Sequence, residues 1–156
     1  MSFPEDLLYS RDHTWARIDG DIATVGITDY AQDTLDEIQS VELFPVDSPI
    51  EQGEPFGIIE SLKVTTELIS PVSGYIISVN EDLADDVGIL NSDPYDTGWM
   101  ITVEIRDLEE VDHLLDAEAY GDYIDEVEIR DLEEVDPLLD EEDEYMDYID
   151  EDEEVR

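Results

Sequence analysis

The chain contains a single lysine, Lys63, together with five arginines and 47 acidic side chains. A lysine amine can be acylated, whereas the guanidinium group of arginine stays protonated and offers no such nucleophile. A chain that has lost almost every lysine but one is expected to use the remaining amine. Because β-favouring runs flank Lys63 at residues 58–62 and 64–69, the sequence predicts a lysine at the tip of a β-hairpin. The alternative is an ordinary solvated surface lysine.

The formal charge of −41 excludes several classes of partner. Nucleic acid binding requires a basic surface, and an anionic membrane would repel the chain, so neither is expected as a partner. The acidic residues occur throughout, with 21 among residues 1–102 and 26 among residues 103–156. This distribution indicates a halophilic protein adapted to molar salt, in which the Debye length falls to about 3 Å. The alternative is an ordinary acidic protein with an acidic tail.

The chain has no cysteine, so it has no disulfide, thiolate nucleophile or cysteine-based metal site of its own. Any redox chemistry must therefore come from an attached or bound group. No stretch approaches the roughly 18 apolar residues of a membrane span. The N-terminus also lacks the pattern of a signal peptide. We therefore expect a soluble cytoplasmic protein, and a monomer.

Short strands separated by turn residues predict a mainly β fold, either a small sandwich or a barrel, for the first hundred residues. An Asp-Gly signal at residues 19–20 predicts a hairpin. Residues 99–105 alternate in polarity, and the side predicted to be buried consists of Trp99, Ile101, Val103 and Ile105. Trp15 and Trp99 are interpreted as core residues rather than binding residues. After Ile105, apolar residues recur at helical spacing and predict one or two amphipathic helices.

The C-terminal region contains an internal repeat. Residues 103–116 recur as residues 127–140 with one difference. This is a single tandem duplication rather than a solenoid, which needs at least three repeats. We predict a domain of residues 1–126 and an acidic tail of residues 127–156. The tail is expected to be a loosely held helical appendage that ends in a disordered acidic run. Docking onto the domain or exchange between chains is the alternative.

The residues around Lys63 resemble the lipoyl-lysine hairpin of the glycine cleavage system H-protein family. The hairpin match comprises Glu60, Ser61, Leu62, Lys63, Glu67 and the run Ser-Pro-Val-Ser-Gly at residues 70–74. Further matches, in the family's order, are His13-Thr14-Trp15 and the segments at residues 25–32, 79–80, 91–95 and 98–99. The resemblance runs from about Phe3 to Glu126. An ordered series of this kind is far more specific than a lone Ser-x-Lys.

The resemblance implies a barrel-sandwich hybrid lipoyl-carrier fold with C-terminal helices, to which the duplicated acidic helical tail is added. It implies lipoate linked through an amide to Lys63, and a non-catalytic carrier rather than an enzyme. In the family, the lipoyl arm shuttles the aminomethyl group of glycine between glycine decarboxylase, a pyridoxal-phosphate enzyme, and a tetrahydrofolate-dependent aminomethyltransferase. Dihydrolipoamide dehydrogenase then reoxidises the arm. A lipoate ligase or lipoyl transferase is the remaining expected partner.

The resemblance also implies an environment for the arm. Glu60 and Ser61 precede the modified lysine. Glu67 stands where the family has an acidic residue near a cleft that holds the loaded arm, and a solvated strand carboxylate is the alternative. Asp12 and Thr14 belong to a second segment that lines this cleft. The family usually has Glu at the position of Thr14, which weakens the case for a protected arm in this chain.

Other candidate sites receive structural interpretations. The chain has two histidines, so no metal site is expected, and His13 is interpreted as a packed ring near Trp15. Paired acids such as Glu109 and Glu110 lack the glycine-punctuated spacing of a calcium loop. We interpret them as solvated faces rather than as general acids or bases.

Three alternatives to a glycine cleavage carrier remain open. A lipoyl domain of a 2-oxo-acid dehydrogenase complex would lack the segments at residues 13–15 and 91–99. An H-like lipoyl carrier of another pathway, such as sulfur oxidation or one linked to ADP-ribosylation, would have the same modified lysine. A lipoate-free acidic interaction protein would instead use the duplicated tail as its binding element.

Overall fold

Two antiparallel sheets form the framework of the chain. The computed structural model describes residues 2–135, with side chains described through residue 128. The strands are β1 Leu8–Tyr9, β2 Thr14–Asp19, β3 Ile22–Ile27, β4 Ile38–Leu43, β5 Pro49–Ile50, β6 Pro55–Ser61, β7 Thr65–Ile69, β8 Gly74–Val79 and β9 Ile101–Ile105. The larger sheet has the order β1-β2-β3-β9-β8-β5, and the smaller has the order β4-β6-β7.

The helices connect the strands and follow the last one. They are α1 Asp29–Leu35, α2 Asp82–Asp85, α3 Ile89–Ser92, the 3₁₀ helix Leu108–His113 and α4 Ala117–Val135. The predicted mainly β fold with helices at the C-terminal end is confirmed. No helix among the described residues is long and apolar enough to cross a membrane.

The predicted hairpin at residues 19–20 joins β2 to β3. Asp19 pairs with Ile22 across the turn. Gly20 adopts a φ of 65°, a conformation that glycine reaches without steric cost. Trp15, in β2, is fully buried, and its indole nitrogen donates a hydrogen bond to the Pro94 carbonyl at 3.0 Å. The prediction of a core position is therefore confirmed for this tryptophan.

Strand β9 lies in the middle of the larger sheet, between β3 and β8. Ile101, Val103 and Ile105 are buried, as the alternation of residues 99–105 predicts. The pattern is wrong for the two residues before the strand, because Met100 is also fully buried and Trp99 is only partly buried. The strand begins at Ile101, so the period of two does not apply before that residue.

An apolar core among the described residues joins the two sheets. It comprises Ala23, Val25, Ile27, Leu35, Ile38, Ile50, Phe56, Ile59, Leu68, Val72, Ile76, Leu83, Leu90, Met100, Ile101, Val103 and Ile105. Both sheets and the three short helices contribute to this set. The hairpin of β6 and β7 is therefore anchored by its own buried residues at one end while its tip extends from the core.

The chain divides into two units, Met1–Tyr120 and Gly121–Arg156. Helix α4 begins in the first unit, where the Asp116 carboxylate accepts a hydrogen bond from the Ala119 amide at 2.8 Å. Residues 127–135 of the repeated sequence are helical in the second unit. The rest of the predicted tail, including its acidic end, lies outside the described residues. The boundary at residue 126 stays a prediction.

Candidate functional site

Lys63 lies at the tip of the hairpin formed by β6 and β7, as the sequence predicts. The strands pair up to Glu60 and Thr65, and a short turn connects them. Lys63 is exposed, and so are its apolar neighbours Leu62, at 67%, and Val64, at 51%. The amine is therefore presented to solvent at a protruding point, where a macromolecular partner can reach it.

Ser61 organises this turn from inside the hairpin. Its buried hydroxyl accepts hydrogen bonds from the amides of Lys63, at 3.1 Å, and Val64, at 3.2 Å. The Ser61 amide donates to the Val64 carbonyl at 2.8 Å, and the Leu62 amide donates to the Glu37 carbonyl at 3.0 Å. The turn thus has few unpaired backbone groups, and the base of the Lys63 side chain is held in a fixed place.

Glu60 and Glu67, the two acidic residues of this hairpin, lie in different surroundings. It is exposed, and one carboxylate oxygen accepts a hydrogen bond from the Ser40 hydroxyl at 3.2 Å. Glu60 is not among the residues that line the neighbouring cleft, whereas Glu67 is. The structure therefore places Glu60 beside the base of the turn.

A cleft of about 230 Å³ lies beside the hairpin. It is lined by Asp12, His13, Thr14, Ile27, Tyr30, Ala31, Thr34, Leu35, Ile59, Thr66, Glu67 and Leu68. Three residues that the sequence assigned to such a cleft, Asp12, Thr14 and Glu67, are therefore brought together. The walls come from the start of β2, the end of β3, helix α1 and the two hairpin strands.

Thr14 closes the floor of the cleft rather than presenting a charge to it. Only 1% of its surface is exposed. Its hydroxyl donates a hydrogen bond to the Ile69 carbonyl at 3.0 Å and shares another with the Ser10 hydroxyl at 2.7 Å. These bonds connect β2 to β7, the strand that follows Lys63. Thr14 therefore positions the cleft wall.

Asp12 and Glu67 supply the two carboxylates of the cleft. Both are exposed, Asp12 in the segment before β2 and Glu67 in β7. Apolar side chains such as Leu35 and Ile59 form the deeper part. A cleft with an apolar interior and carboxylates at its rim suits a long apolar chain that ends in a positively charged group.

His13 is a packed ring, as predicted, and its ring neighbours include Tyr30 and Tyr120. Its Nδ1 lies 2.8 Å from the Tyr120 hydroxyl, which lies 2.9 Å from the Thr28 hydroxyl. Burial lowers the pKa of His13, against an opposing effect of a neighbouring acid. Among the described residues no group of three or more metal-ligand side chains comes together.

The sequence interpretation missed the wall that helix α1 contributes. Thr28 caps this helix, because its hydroxyl accepts a hydrogen bond from the Ala31 amide at 3.2 Å. The missed cleft residues here are Ile27, at the end of β3, and the helical residues Tyr30, Ala31, Thr34 and Leu35. They recur at intervals of three and four residues, so the helical period was the signal that could have placed them on one face.

The sequence is similar to that of known proteins over most of its length. The family model described as glycine cleavage H-protein matches residues 7–127. The glycine cleavage system H protein of Anaeromyxobacter sp. (strain K) is 47% identical over 126 residues, which is 81% of this chain and 98% of that protein. The protein of the same name from Geobacillus thermodenitrificans (strain NG80-2) is also 47% identical over 126 residues, with 99% of its length covered.

A solved structure agrees with these sequence matches. The crystal structure of a glycine cleavage system H protein from Mycobacterium marinum superimposes with a TM-score of 0.71 at 36% sequence identity. The match covers 76% of this chain and 96% of the Mycobacterium marinum chain. The similarity therefore spans the two sheets, the hairpin and the cleft.

Proposed function

Because the chain belongs to the glycine cleavage H-protein family, it serves as the lipoyl carrier of the glycine cleavage system, and we propose that Lys63 is the attachment point of lipoate. The observation that carries the proposal is the exposed Lys63 at the tip of a hydrogen-bonded hairpin turn. Lys63 offers the one side-chain amine in the sequence, so a ligase has no competing side-chain target. Bound lipoate would supply the dithiolane that this cysteine-free chain lacks.

The protein's own part in the reaction is to hold and present the arm. Ser61 fixes the turn, and the exposed Leu62 and Val64 give a ligase an apolar surface beside the amine. Acylation removes the positive charge that a free lysine amine carries near neutral pH. The chain itself supplies no catalytic group in this proposal, and the reactions belong to the cofactors of its partners.

The cleft beside the hairpin is proposed to receive the arm when it carries the aminomethyl group of glycine. Its apolar interior suits the hydrocarbon chain, and the carboxylates of Asp12 and Glu67 favour a positively charged end. Thr14 contributes by holding β2 against β7. The cleft would thereby keep the loaded arm from water between one enzyme and the next.

The proposed partners are those of the family's cycle. They are glycine decarboxylase, the aminomethyltransferase, dihydrolipoamide dehydrogenase, and a lipoate ligase or lipoyl transferase. We also propose that the protein acts as a monomer in the cytoplasm of a halophile, where molar salt screens its charge of −41. A glycine–bicarbonate exchange assay distinguishes this function from that of an H-like carrier of another pathway.

Two measurements test this function. The intact mass of protein from its native source should show lipoate, and Lys63→Arg should remove the added mass while leaving the fold intact. Lipoylated protein mixed with glycine decarboxylase should support glycine–bicarbonate exchange. A native preparation without added mass contradicts the carrier. Absence of exchange, together with reduction by dihydrolipoamide dehydrogenase, favours an H-like carrier of another pathway.

The role of the cleft is tested separately with charge-neutral substitutions. Asp12→Asn and Glu67→Gln should each shorten the lifetime of the loaded arm roughly fivefold, since a partly exposed ion pair is worth up to about 1 kcal/mol. Glu42→Gln is the matched control, because Glu42 is exposed on β4 and does not line the cleft. Equal lifetimes for all three variants and the unchanged protein would show that the carboxylates do not hold the arm.

A further inference from the structure

Five exposed or partly exposed apolar side chains lie far from the Lys63 tip and form what we call the docking face: Phe44, Val46, Pro49, Tyr75 and Ile77. Half of Tyr75 is exposed, as are 49% of Val46 and 42% of Ile77. Phe44 and Pro49 line one hollow together with Pro55, the first residue of β6. Lys63 follows the other end of that strand, about 20 Å away at 3.3 Å per residue.

The docking face is continuous because one loop runs along the edge of β8. The Asp47 amide donates to the Ile76 carbonyl at 2.7 Å, and the Ile76 amide donates to the Ser48 carbonyl at 3.0 Å. Pro49 then pairs with Tyr75. Ile76 is fully buried, so its neighbours in the strand, Tyr75 and Ile77, point to the opposite, outer face.

This apolar content is unusual for the surface on which it lies. On the neighbouring strand β9, the positions that alternate with buried residues are Thr102 and Glu104, and Glu104 pairs directly with Tyr75. A chain in which 34% of residues are charged has thus kept apolar side chains at the exposed positions of β8. Burial of exposed apolar surface contributes about 25 cal/mol of favourable free energy per Å². A contiguous patch of exposed apolar side chains therefore marks an interaction surface.

The surrounding charge determines what can cover the docking face. Asp47 lies in the loop beside it, Glu104 lies beside Tyr75, and Glu51 and Glu54 share the hollow of about 530 Å³ with Phe44 and Pro49. These four neighbours are carboxylates, against one arginine, Arg106, whose amide donates to the Ser73 carbonyl near the start of β8. A partner must therefore bring cations to the rim. A second copy of this chain would instead place carboxylates against carboxylates.

We propose that the docking face binds a partner protein whose contact surface has an apolar centre surrounded by arginine and lysine side chains. The partner belongs to the lipoyl-carrier cycle, so this inference rests on the proposed function. The apolar walls of the hollow suit the stem of a long cationic side chain, while Glu51 and Glu54 suit its head. The hollow adjoins Pro55 at the start of β6, so a protein held there leaves the Lys63 end of the hairpin open to a second active site.

The test compares Tyr75→Ser/Ile77→Ser with the unchanged, lipoylated protein. Calorimetric titration against each of the three glycine cleavage enzymes and the ligase gives the dissociation constants. At least one should rise tenfold or more, since truncation of central interface residues costs over about 1.4 kcal/mol. The turnover number at saturating carrier should stay the same. Leu108→Ser is the matched control, because Leu108 is 53% exposed and lies outside the docking face.

A second variant tests the charge of the rim. Glu104→Gln should weaken the same complex about threefold at the lowest salt concentration at which the unchanged protein stays folded, and should leave it unchanged in molar salt, because screening removes rim electrostatics. An equal effect of Glu104→Gln at both salt concentrations would show that the rim of the partner is not basic and would overturn the proposal. All variants should unfold at the same denaturant concentration as the unchanged protein, which excludes a folding defect.

Other outcomes separate the docking face from the carrier function. If the unchanged protein binds none of the four enzymes, or if Tyr75→Ser/Ile77→Ser leaves every dissociation constant within twofold, the docking face is overturned even where exchange proceeds. If the double substitution raises a dissociation constant tenfold but the lipoylated protein supports no glycine–bicarbonate exchange, the docking face is retained and only the carrier function is wrong. A dimer in sedimentation that the double substitution dissociates would overturn the proposal by identifying a second copy as the occupant.

Discussion

Residues 103–111 and residues 127–135 have the same nine-residue sequence and different backbones. In the first copy, residues 103–105 end strand β9, and the 3₁₀ helix follows from Leu108. In the second copy, all nine residues lie in helix α4. The sequence Val-Glu-Ile-Arg-Asp-Leu-Glu-Glu-Val therefore accepts either conformation, and its surroundings decide between them.

The residues before each copy explain the difference. Ile101 precedes the first copy, is fully buried, and pairs with Val25 in the middle of the larger sheet. The corresponding residue of the second copy is Asp125, which is exposed. A strand built from the second copy would bury that carboxylate at the Ile101 position, at a cost of several kcal/mol. A helix satisfies its own backbone groups without any sheet edge.

Local capping signals do not distinguish the copies either. The Asp107 carboxylate accepts a hydrogen bond from the Glu109 amide at 3.1 Å and caps the 3₁₀ helix. The equivalent Asp131 lies within α4, four residues before its last residue, Val135. The same residue type is thus a cap in one copy and an interior helical residue in the other. Capping preference is real, but here it follows the tertiary structure.

The largest expected difference between the copies comes from introducing a charge at equivalent valines. Val103→Asp should lower the free energy of unfolding by at least about 3 kcal/mol, because Val103 is fully buried between Ala23 and Ile76. Val127→Asp should cost less than about 1 kcal/mol, because Val127 is partly exposed on a helix. Denaturant titration in molar salt measures both.

The pair is informative only if the two variants are compared under one condition. Val127→Ala serves as the control, since it removes the same side chain without adding a charge. Equal losses of stability for Val103→Asp and Val127→Asp would show that the two copies lie in similar environments, and the explanation by flanking residues would then be wrong.

The same contrast shows how much of the site was predictable. Lys63 could be placed at a hairpin tip because the signal, two β-favouring runs around a turn, is local. The role of Thr14 could not be predicted, because its hydroxyl donates to the carbonyl of Ile69, 55 residues later. The solvated interpretation of Glu110 is wrong for a similar reason, since its carboxylate accepts two hydrogen bonds from Ser73, 37 residues earlier.

A smaller difference is expected at the glutamate that makes those bonds. Glu110 accepts from both the amide and the hydroxyl of Ser73 at 2.8 Å. Glu110→Gln should cost roughly 1–2 kcal/mol of unfolding free energy, because a charged acceptor is replaced by a neutral one. Glu109→Gln is the matched control and should have no measurable effect, because Glu109 is exposed. A similar loss in both variants would show that the bonds to Ser73 do not stabilise the domain.

A helix-breaking substitution sharpens the comparison without touching the sheets. Glu128→Pro should end α4 early, because proline removes an amide donor and clashes with the preceding turn. Circular dichroism should show less helix. The free energy of unfolding of the β domain, measured by denaturant titration, should change by less than about 0.5 kcal/mol. Glu128→Ala is the control. A large fall in the midpoint would mean that the second copy supports the domain.

The smallest effect is expected from removing the second copy entirely, by ending the chain after Glu126. The family match ends at residue 127, and the last buried apolar side chain among the described residues is Ile124. The truncated protein should therefore keep its fold, its lipoylation and its exchange activity, with an unfolding free energy within about 0.5 kcal/mol of the full chain in molar salt.

The truncated protein also loses 16 acidic residues and two arginines, which changes the net charge from −41 to −27. Because self-repulsion of like charges destabilises the compact state, the truncated chain should stay folded at lower salt than the full chain does. Salt titration followed by tryptophan fluorescence measures this shift. Loss of the fold after truncation, or a need for more salt, would show that the second copy is part of the domain despite its different backbone.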